Sequence, residues 1–179
     1  MRPLLRICVT GPESTGKTTL ARRLAEWRHT EWVPEASRAY AEGVGRELLA
    51  SDVTPIAREH IACAELAAAR ATAHGARLLV LDTDLVSTGV YSRHYYGVVP
   101  PWIARAERGR RADLYLLCDV DVPWLPDGVR DRPLDREEMF ERFRLALARR
   151  RANVVRIRGD WATRWEAARN AVQAAVGNE

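Results

Sequence analysis

A short segment near the start of the chain, Gly11 to Thr18, has the residue types and spacing to bind phosphate groups. It reads Gly-Pro-Glu-Ser-Thr-Gly-Lys-Thr and matches the pattern Gly-x-x-x-x-Gly-Lys-Ser/Thr. The two glycines permit a turn whose backbone N–H groups face inward, toward the β-phosphate of a nucleotide. Lys17 would reach the β- and γ-phosphates, and the Thr18 hydroxyl would bind Mg²⁺. The residues that we assign to nucleotide binding in this segment are Gly11, Glu13, Ser14, Thr15, Gly16, Lys17, Thr18 and Thr19.

The sequence around this segment supports the assignment. Residues 4–9 are mostly apolar and predict a buried strand, whereas Leu20, Leu24 and Trp27 follow at helical spacing. A strand, a glycine loop and a helix form the setting in which this motif binds phosphate. Lys17 is also the only lysine in an arginine-rich chain. A compact ammonium on a flexible stem is therefore required at this position.

Two aspartates after an apolar run, Asp82 and Asp84, are the second group with catalytic potential. The run Leu78-Leu79-Val80-Leu81 predicts a buried parallel strand, so Asp82 would be a Walker B carboxylate that holds Mg²⁺. Asp84 would extend from the end of the strand toward a substrate hydroxyl. The alternative is that Asp84 caps the helix that follows.

Glu35 and Arg38 follow a short predicted strand that Pro34 ends. Three positions apart, they would share a helix face. One interpretation is a surface ion pair. The other is a substrate-binding pair, because open α/β sheets bind ligands at the carboxyl ends of their strands.

A Pro- and Arg-bearing segment at about 122–134 follows the fourth predicted strand. Its composition predicts a mobile lid that would place Arg130 and Arg132 over the transferring phosphate.

Five short strands, near residues 4–9, 31–33, 77–82, 114–118 and 153–157, must position these groups. They alternate with helices, which predicts a parallel sheet covered on both faces. Thr54-Pro55, Asp135 and Asp160 are expected to begin helices. The last helix should turn Trp161, Trp165, Ala168 and Val172 toward the core.

Two predicted helices carry residues with both a structural and a functional interpretation. His60 lies among small apolar residues, where a buried, hydrogen-bonded histidine is the expected interpretation and a catalytic one the alternative. Thr88, Tyr91 and Tyr95 share a helix face. Aromatic residues at this spacing usually belong to a core.

Length and composition predict one domain, residues 1–179, in the cytoplasm. Three scattered cysteines indicate reduced core residues, and no apolar run suits a membrane span. The net charge of +4 suits phosphorylated ligands. Nucleic acid is not the expected partner, because arginine enrichment alone explains the charge.

These motifs together resemble the ribosylnicotinamide kinase domain of NadR-type proteins, a module of the AAA-like P-loop ATPases. The similarity extends over nearly the whole chain. Beyond the generic phosphate loop, it lies in the segments Glu35-x-x-Arg38, Asp82-Thr83-Asp84 and Pro123-Trp124-x-x-Asp127-Gly128-x-Arg130, and in His60.

The resemblance implies a P-loop NTPase three-layer sandwich with a five-stranded parallel sheet in the order 2-3-1-4-5. It implies transfer of the γ-phosphate of ATP to the 5′-hydroxyl of nicotinamide riboside, with ATP and Mg²⁺ as cofactors. Glu35 and Asp84 become candidates for binding the ribose hydroxyls or for acting as the general base. The implied catalytic residues are then Lys17, Asp84, Glu35 and Arg130. Arg132 would contact the nucleotide. The residues expected around the acceptor are Glu35, Arg38, Asp84, Tyr91 and Trp124.

Two departures from the family bear on the acceptor. In the long helix, Cys63 and Leu66 occupy a stretch where a second aromatic residue is expected. Pro34 stands where the family often has an aromatic residue suited to a cationic pyridinium ring. Trp32, Trp124 or a tyrosine of the Tyr91–Tyr95 helix would have to supply that face. Two alternatives therefore stay open: a kinase for another nucleoside, a nucleotide or a nucleic-acid 5′ end, and a regulatory ATPase. ATP-versus-GTP preference and oligomeric state are also open.

Overall fold

Five parallel strands form one sheet in the order β2-β3-β1-β4-β5, as predicted. The computed structural model describes residues 3–123 and 135–177. The central strand β1 pairs with β3 on one side and with β4 on the other. The strands are β1 (Leu5–Thr10), β2 (Trp32–Val33), β3 (Leu78–Asp82), β4 (Leu114–Cys118) and β5 (Val154–Ile157).

Helices connect successive strands, and their bounds agree with the sequence pattern to within a few residues. A short 3-10 helix, Ala50–Asp52, precedes the longest of them. The α-helices are α1 (Lys17–Arg28), α2 (Ala36–Val44), α3 (Val53–Ala73), α4 (Leu85–Tyr96), α5 (Pro101–Arg108), α6 (Arg136–Arg149) and α7 (Trp161–Val176).

Helices cover both faces of the sheet, because side chains alternate along each strand. Ile7 and Val9 of β1 point to one face, where they pack with Leu24 of α1 and Val172 of α7. Cys8 points to the other face, where α3, α4 and α6 pack. The core residues that α6 contributes are Met139, Phe140, Phe143 and Leu147. This arrangement is the three-layer sandwich expected from the sequence.

The capping residues at the helix N-termini were predicted less accurately than the helices themselves. Asp160 does cap α7, since its Oδ1 accepts a hydrogen bond from Thr163 N at 2.8 Å. Thr54 is not a cap but lies inside α3, which Asp52 precedes. Asp135 occupies the cap position of α6 without a capping hydrogen bond.

Within residues 3–123 and 135–177, none of the helices has both the length and the apolar character needed to span a bilayer. Cys8, Cys63 and Cys118 are free thiols, and two of them, Cys8 and Cys118, are buried.

Candidate active site

The phosphate loop joins β1 to α1 at the carboxyl edge of the sheet. Gly11 has a φ of 134°, and a Cβ there would lie 2.6 Å from Cys118 O. Gly16 has a φ of 79°, and a Cβ there would collide with the Trp161 ring. Both positions therefore require glycine, for backbone conformation and for space.

Lys17 lies at the start of α1 with its side chain folded over the loop. Its Nζ donates to Pro12 O at 2.6 Å, and Thr15 Oγ1 donates to the same oxygen at 2.8 Å. Only 7% of Lys17 is exposed. The ammonium is thus held beside the loop's backbone rather than in the apolar core.

Thr18 and Asp82 meet at the junction of α1 and β3. The Thr18 hydroxyl donates to Asp82 Oδ2 at 2.6 Å. Asp82 Oδ1 is buried and accepts no hydrogen bond from the described residues. Burial, followed by the charge of Glu35, raises the pKa of Asp82 to about 6, and Lys17 opposes the rise. A hydroxyl beside a carboxylate with an unused buried oxygen is an arrangement that suits a hard cation.

Thr83 separates the two aspartates by an uncommon turn. Its φ is 69°, in the left-handed region that β-branched residues rarely adopt. The backbone is fixed there by a hydrogen bond of 2.9 Å from Thr83 N to Val9 O. Asp82 and Asp84 consequently do not point in one direction. Such strain is typical of functional sites.

Asp84 occupies the helix-capping position that the sequence left open as an alternative. Its Oδ1 accepts from Val86 N at 2.9 Å and from Ser87 N at 3.3 Å, while Oδ2 accepts from the Tyr115 hydroxyl at 2.6 Å. Only 3% of the residue is exposed. The capping role is thus observed and is compatible with a functional one, and the assignment of Asp84 to the acceptor stays a prediction.

A cavity of about 880 Å³ lies between α2, α3 and α4, and its lining residue Tyr95 hydrogen-bonds Glu13 of the phosphate loop. Two of the predicted acceptor residues, Glu35 and Tyr91, line it, whereas Arg38 and Asp84 do not. The charged and aromatic residues that line it are Glu35, Glu42, Arg46, Glu47, His60, Tyr91, His94, Tyr95 and Tyr96.

The aromatic wall of this cavity comes from α4. The rings of Tyr91 and Tyr95 stack with centroids 6.0 Å apart and planes inclined by 8°. Trp32, a candidate for this face, instead packs against the core on the α1 side of the sheet. Its ring lies beside the Arg22 guanidinium, 5.6 Å from the centroid.

His60 is buried, as predicted, but the predicted hydrogen bond is missing among the described residues. It lines the cavity with 6% of its surface exposed. Burial, with a smaller effect of Arg6, lowers the pKa of His60 to about 4. The imidazole is therefore neutral at pH 7.

Two arginines that sequence analysis did not single out support the phosphate loop. Arg164 is 1% exposed and donates to Thr15 O at 3.2 Å and to Gly159 O at 2.9 Å. Arg136 donates to Ser14 O at 3.3 Å. Both contacts join residues more than 100 positions apart. A local pattern in the sequence contains no sign of them.

Trp161 was expected on the apolar face of α7, and its position differs. It is 49% exposed, and the end of its ring lies against Gly16. The aromatic residue thus covers the outer side of the phosphate loop. Trp124, Arg130, Arg132 and most of the proposed lid lie outside the described residues.

Comparison with known proteins identifies similar sequences. A family model described as an AAA domain matches residues 6–164. The trifunctional NAD biosynthesis/regulator protein NadR of Escherichia coli is 30% identical over 138 residues, which is 74% of this chain and 33% of that protein. The chain therefore spans about a third of the length of this curated relative.

Solved structures show the same similarity in three dimensions. A crystal structure of NadR protein in complex with NR has a TM-score of 0.83 and 26% identity, and covers 98% of this chain and 52% of its own. A second NadR structure, in complex with NAD and AMP-PNP, has a TM-score of 0.78 and 26% identity. The match covers 98% of this chain and 50% of the NadR chain. The predicted likeness to NadR-type proteins and the predicted P-loop kinase fold are confirmed.

Proposed function

Because the chain belongs to the AAA domain family, we propose that it is an ATP-dependent kinase for the 5′-hydroxyl of a nucleoside, with nicotinamide riboside as the acceptor. The observation that carries this proposal is the acidic, tyrosine-lined cavity that a hydrogen bond links to the phosphate loop. The NadR structures with NR and with an ATP analogue support it.

The phosphate loop would bind ATP through its backbone N–H groups and the N-terminus of α1. Residues Gly11 to Thr19 form this cradle, and Lys17 would exchange its contact with Pro12 O for the β- and γ-phosphates. Arg164 and Arg136 hold the loop from behind through their bonds to Thr15 O and Ser14 O. A loop already held in its binding conformation loses less entropy when the nucleotide binds.

The Thr18 and Asp82 pair fits Mg²⁺. Their oxygens lie 2.6 Å apart, and the second oxygen of Asp82 has no partner among the described residues. Mg²⁺ prefers one or two protein oxygens together with substrate phosphates, rather than a cage of protein ligands. Once bound, the ion would neutralise charge on the phosphates. Asp82 must be ionised to hold it.

The cavity is suited to a cation. Glu35, Glu42 and Glu47 line it, in a chain whose net charge is +4. The guanidinium of Arg46, the arginine among the described lining residues, is engaged by Asp52 at 2.7 and 3.0 Å. Its charge is therefore largely balanced. The pyridinium ring of nicotinamide riboside would be attracted by the carboxylates.

The stacked tyrosines of α4 supply the aromatic face that Pro34 cannot. Tyr91 and Tyr95 both line the cavity, and Tyr91 is held by an edge contact with Phe143 at 5.5 Å. A cation over such a face gains about 1–2 kcal/mol when desolvated. This arrangement favours nicotinamide riboside over an uncharged nucleoside.

Glu35 is the carboxylate that we assign to the ribose hydroxyls. It precedes α2, lines the cavity, and accepts from Ser37 Oγ at 2.6 Å. It lies close enough to Asp82 to raise the pKa of that group. Both observations support Glu35 as a candidate for the base.

Three further assignments rest on the resemblance. Arg38, whose charge lowers the pKa of Asp82, would contact phosphate near the metal. Arg130 and Arg132 would neutralise charge on the transferring phosphoryl group, and Trp124 would lie near the acceptor.

A nucleoside panel tests the proposal. Purified protein with ATP and Mg²⁺ is assayed for ADP release without an acceptor and with nicotinamide riboside, uridine, cytidine, adenosine or a 5′-hydroxyl oligonucleotide. We expect nicotinamide riboside to stimulate release most. Stimulation by another acceptor alone would refute nicotinamide riboside, and acceptor-independent release would indicate a regulatory ATPase.

A further inference from the structure

His60 forms part of the buried floor of the cavity. It lies on the face of α3 that also carries Val53 and Ile56, and all three line the cavity. Only 6% of His60 is exposed. A polar side chain buried to this degree normally has a hydrogen-bond partner within the protein.

None of the described residues provides that partner. Three of the lining hydroxyls are engaged: Ser87 Oγ bonds with Thr10 Oγ1 at 2.9 Å, Tyr95 OH donates to Glu13 at 3.2 Å, and Tyr96 OH donates to Leu48 O at 2.7 Å. His60 thus differs from these neighbours in keeping its hydrogen-bonding atoms for whatever enters the cavity.

The charge state of His60 limits the ligand group that it can bind. Burial lowers the pKa of the imidazole to about 4, and Arg6 acts in the same direction. At pH 7 the ring has one N–H donor and one nitrogen acceptor. Because the two ring nitrogens point in diverging directions, the ring can donate to the carbonyl of an amide, accept from its NH₂, or bond a hydroxyl, through one nitrogen at a time.

The acidic lining of the cavity also disfavours a negatively charged ligand. The carboxylates of Glu35, Glu42 and Glu47 line the same space. A ligand carboxylate would be repelled by them, and a neutral imidazole offers it a single donor. Ribose hydroxyls are better matched by Glu35, whose carboxylate only accepts hydrogen bonds.

We propose that His60 is a specificity-determining residue that hydrogen-bonds an uncharged amide on the base of the acceptor. The inference rests on the proposed function, in which that amide is the carboxamide of nicotinamide riboside. His60 would then select the amide over a carboxylate, while the tyrosines and acidic residues select the cationic ring.

Two substitutions separate this role from packing. His60→Leu removes both ring nitrogens while retaining much of the volume, whereas His60→Gln restores a donor and an acceptor. The acceptors are nicotinamide riboside, nicotinic acid riboside and the riboside of unsubstituted pyridine. Initial rates give KM and kcat for each.

We expect His60→Leu to raise the KM for nicotinamide riboside about tenfold, which is the size expected for a lost hydrogen bond in a buried site. The KM for pyridine riboside should change less than twofold. The KM for ATP should not change, and His60→Gln should recover most of the loss. Wild-type protein should prefer the amide to the acid, and His60→Leu should narrow that preference.

Thermal unfolding provides the control for a purely structural role. Because His60 has no described protein partner, His60→Leu should not lower the melting temperature. His74→Leu removes an exposed histidine that follows α3 and should change neither KM nor stability. If His60→Leu fails to fold, His60→Gln decides, because a folded Gln variant that no longer prefers the amide to the acid would overturn the proposal.

Three results would contradict the assignment. An unchanged KM for nicotinamide riboside in His60→Leu would show that no bond is made. An equal loss for all three ribosides would indicate contact with the ribose instead. Failure of the proposed function is recognised separately, because wild-type protein would then not turn over nicotinamide riboside at all.

Discussion

The hydroxyl of Tyr95 donates to Glu13 Oε1 at 3.2 Å and so links the cavity wall to the phosphate loop. Tyr95 belongs to α4 and stacks on Tyr91. Glu13 lies within the loop that we assign to ATP. A hydrogen bond therefore joins the two substrate sites of the proposed kinase and would help to position the acceptor relative to the nucleotide. Positioning of this kind contributes much of the rate of phosphoryl transfer.

Lys17→Ala should lower kcat at least a hundredfold, because a preorganised charge at the developing oxyanion is lost. Lys17→Arg should not restore the rate, since a planar guanidinium does not replace a compact ammonium. Steady-state kinetics measures both effects. Arg105→Ala removes an exposed cation from α5 and should be neutral. A Lys17→Ala rate above a tenth of wild type would argue against the phosphate-loop assignment.

Asp82→Asn should stabilise the protein without ligands while weakening Mg²⁺-dependent ATP binding. Burial raises the pKa of the folded-state carboxyl to about 6, from 3.8. Between these values the folded protein retains a proton that the unfolded chain has lost. Stability therefore falls as pH rises from about 4 to 6, by at most about 3 kcal/mol at 1.36 kcal/mol per pH unit.

Denaturant unfolding from pH 4 to 8 measures this difference between wild type and Asp82→Asn. The variant should gain stability relative to wild type as pH rises, with a plateau above pH 7. Calorimetric titration with an ATP analogue should show weaker binding that depends less on Mg²⁺. A variant that is less stable than wild type at pH 7 would refute the account of Asp82.

Arg164→Leu should destabilise the fold by about 3 kcal/mol or more, because three backbone carbonyl oxygens lose the hydrogen-bond donor that this buried guanidinium provides. Arg164 pairs with Asp121 and donates to Thr15 O, Gly159 O and Asp119 O. The KM for ATP should also rise, since the phosphate loop loses its support. Arg169→Leu, an exposed position on the same helix, is the matched control. Equal melting temperatures for the two variants would be inconsistent with the buried role.

Tyr91→Leu should raise the KM for nicotinamide riboside about tenfold, which corresponds to loss of a desolvated cation–π contact. The KM for an uncharged nucleoside should rise less. Tyr40→Leu changes a tyrosine that donates to Asp52 at 3.2 Å and does not line the cavity. It should leave the acceptor KM unaltered. A similar rise in KM for charged and uncharged acceptors would indicate that Tyr91 acts through packing rather than through recognition of the cation.

Local pattern was enough to predict the strands and the helices, whereas the sheet order came from the family resemblance. Apolar runs and turn residues define these elements, and the phosphate-loop motif identifies the central strand. The pattern was insufficient for Asp84. A strand that continued through Thr83 would direct Asp84 outward, but Thr83 adopts a φ of 69° and Asp84 turns to cap α4.

The contacts that support the phosphate loop could likewise not be predicted from the sequence. Arg164 and Trp161 lie about 145 positions after the residues that they contact. In the sequence, neither residue is distinguishable from other residues of an amphipathic helix. Their roles depend on where α7 packs, which a single sequence does not specify. His60 was predicted to be buried, but its place in the cavity wall depends on the packing of α3 against α4.

The most direct test of the central claim is product analysis of a single reaction. Wild-type protein is incubated with ATP, Mg²⁺ and nicotinamide riboside, and phosphorus-31 NMR and mass spectrometry follow every phosphorylated species. We predict nicotinamide mononucleotide and ADP in equal amounts, with no free phosphate and no product from Lys17→Ala. ADP accompanied by free phosphate, with nicotinamide riboside recovered unchanged, would contradict the claim that this protein is a nicotinamide riboside kinase.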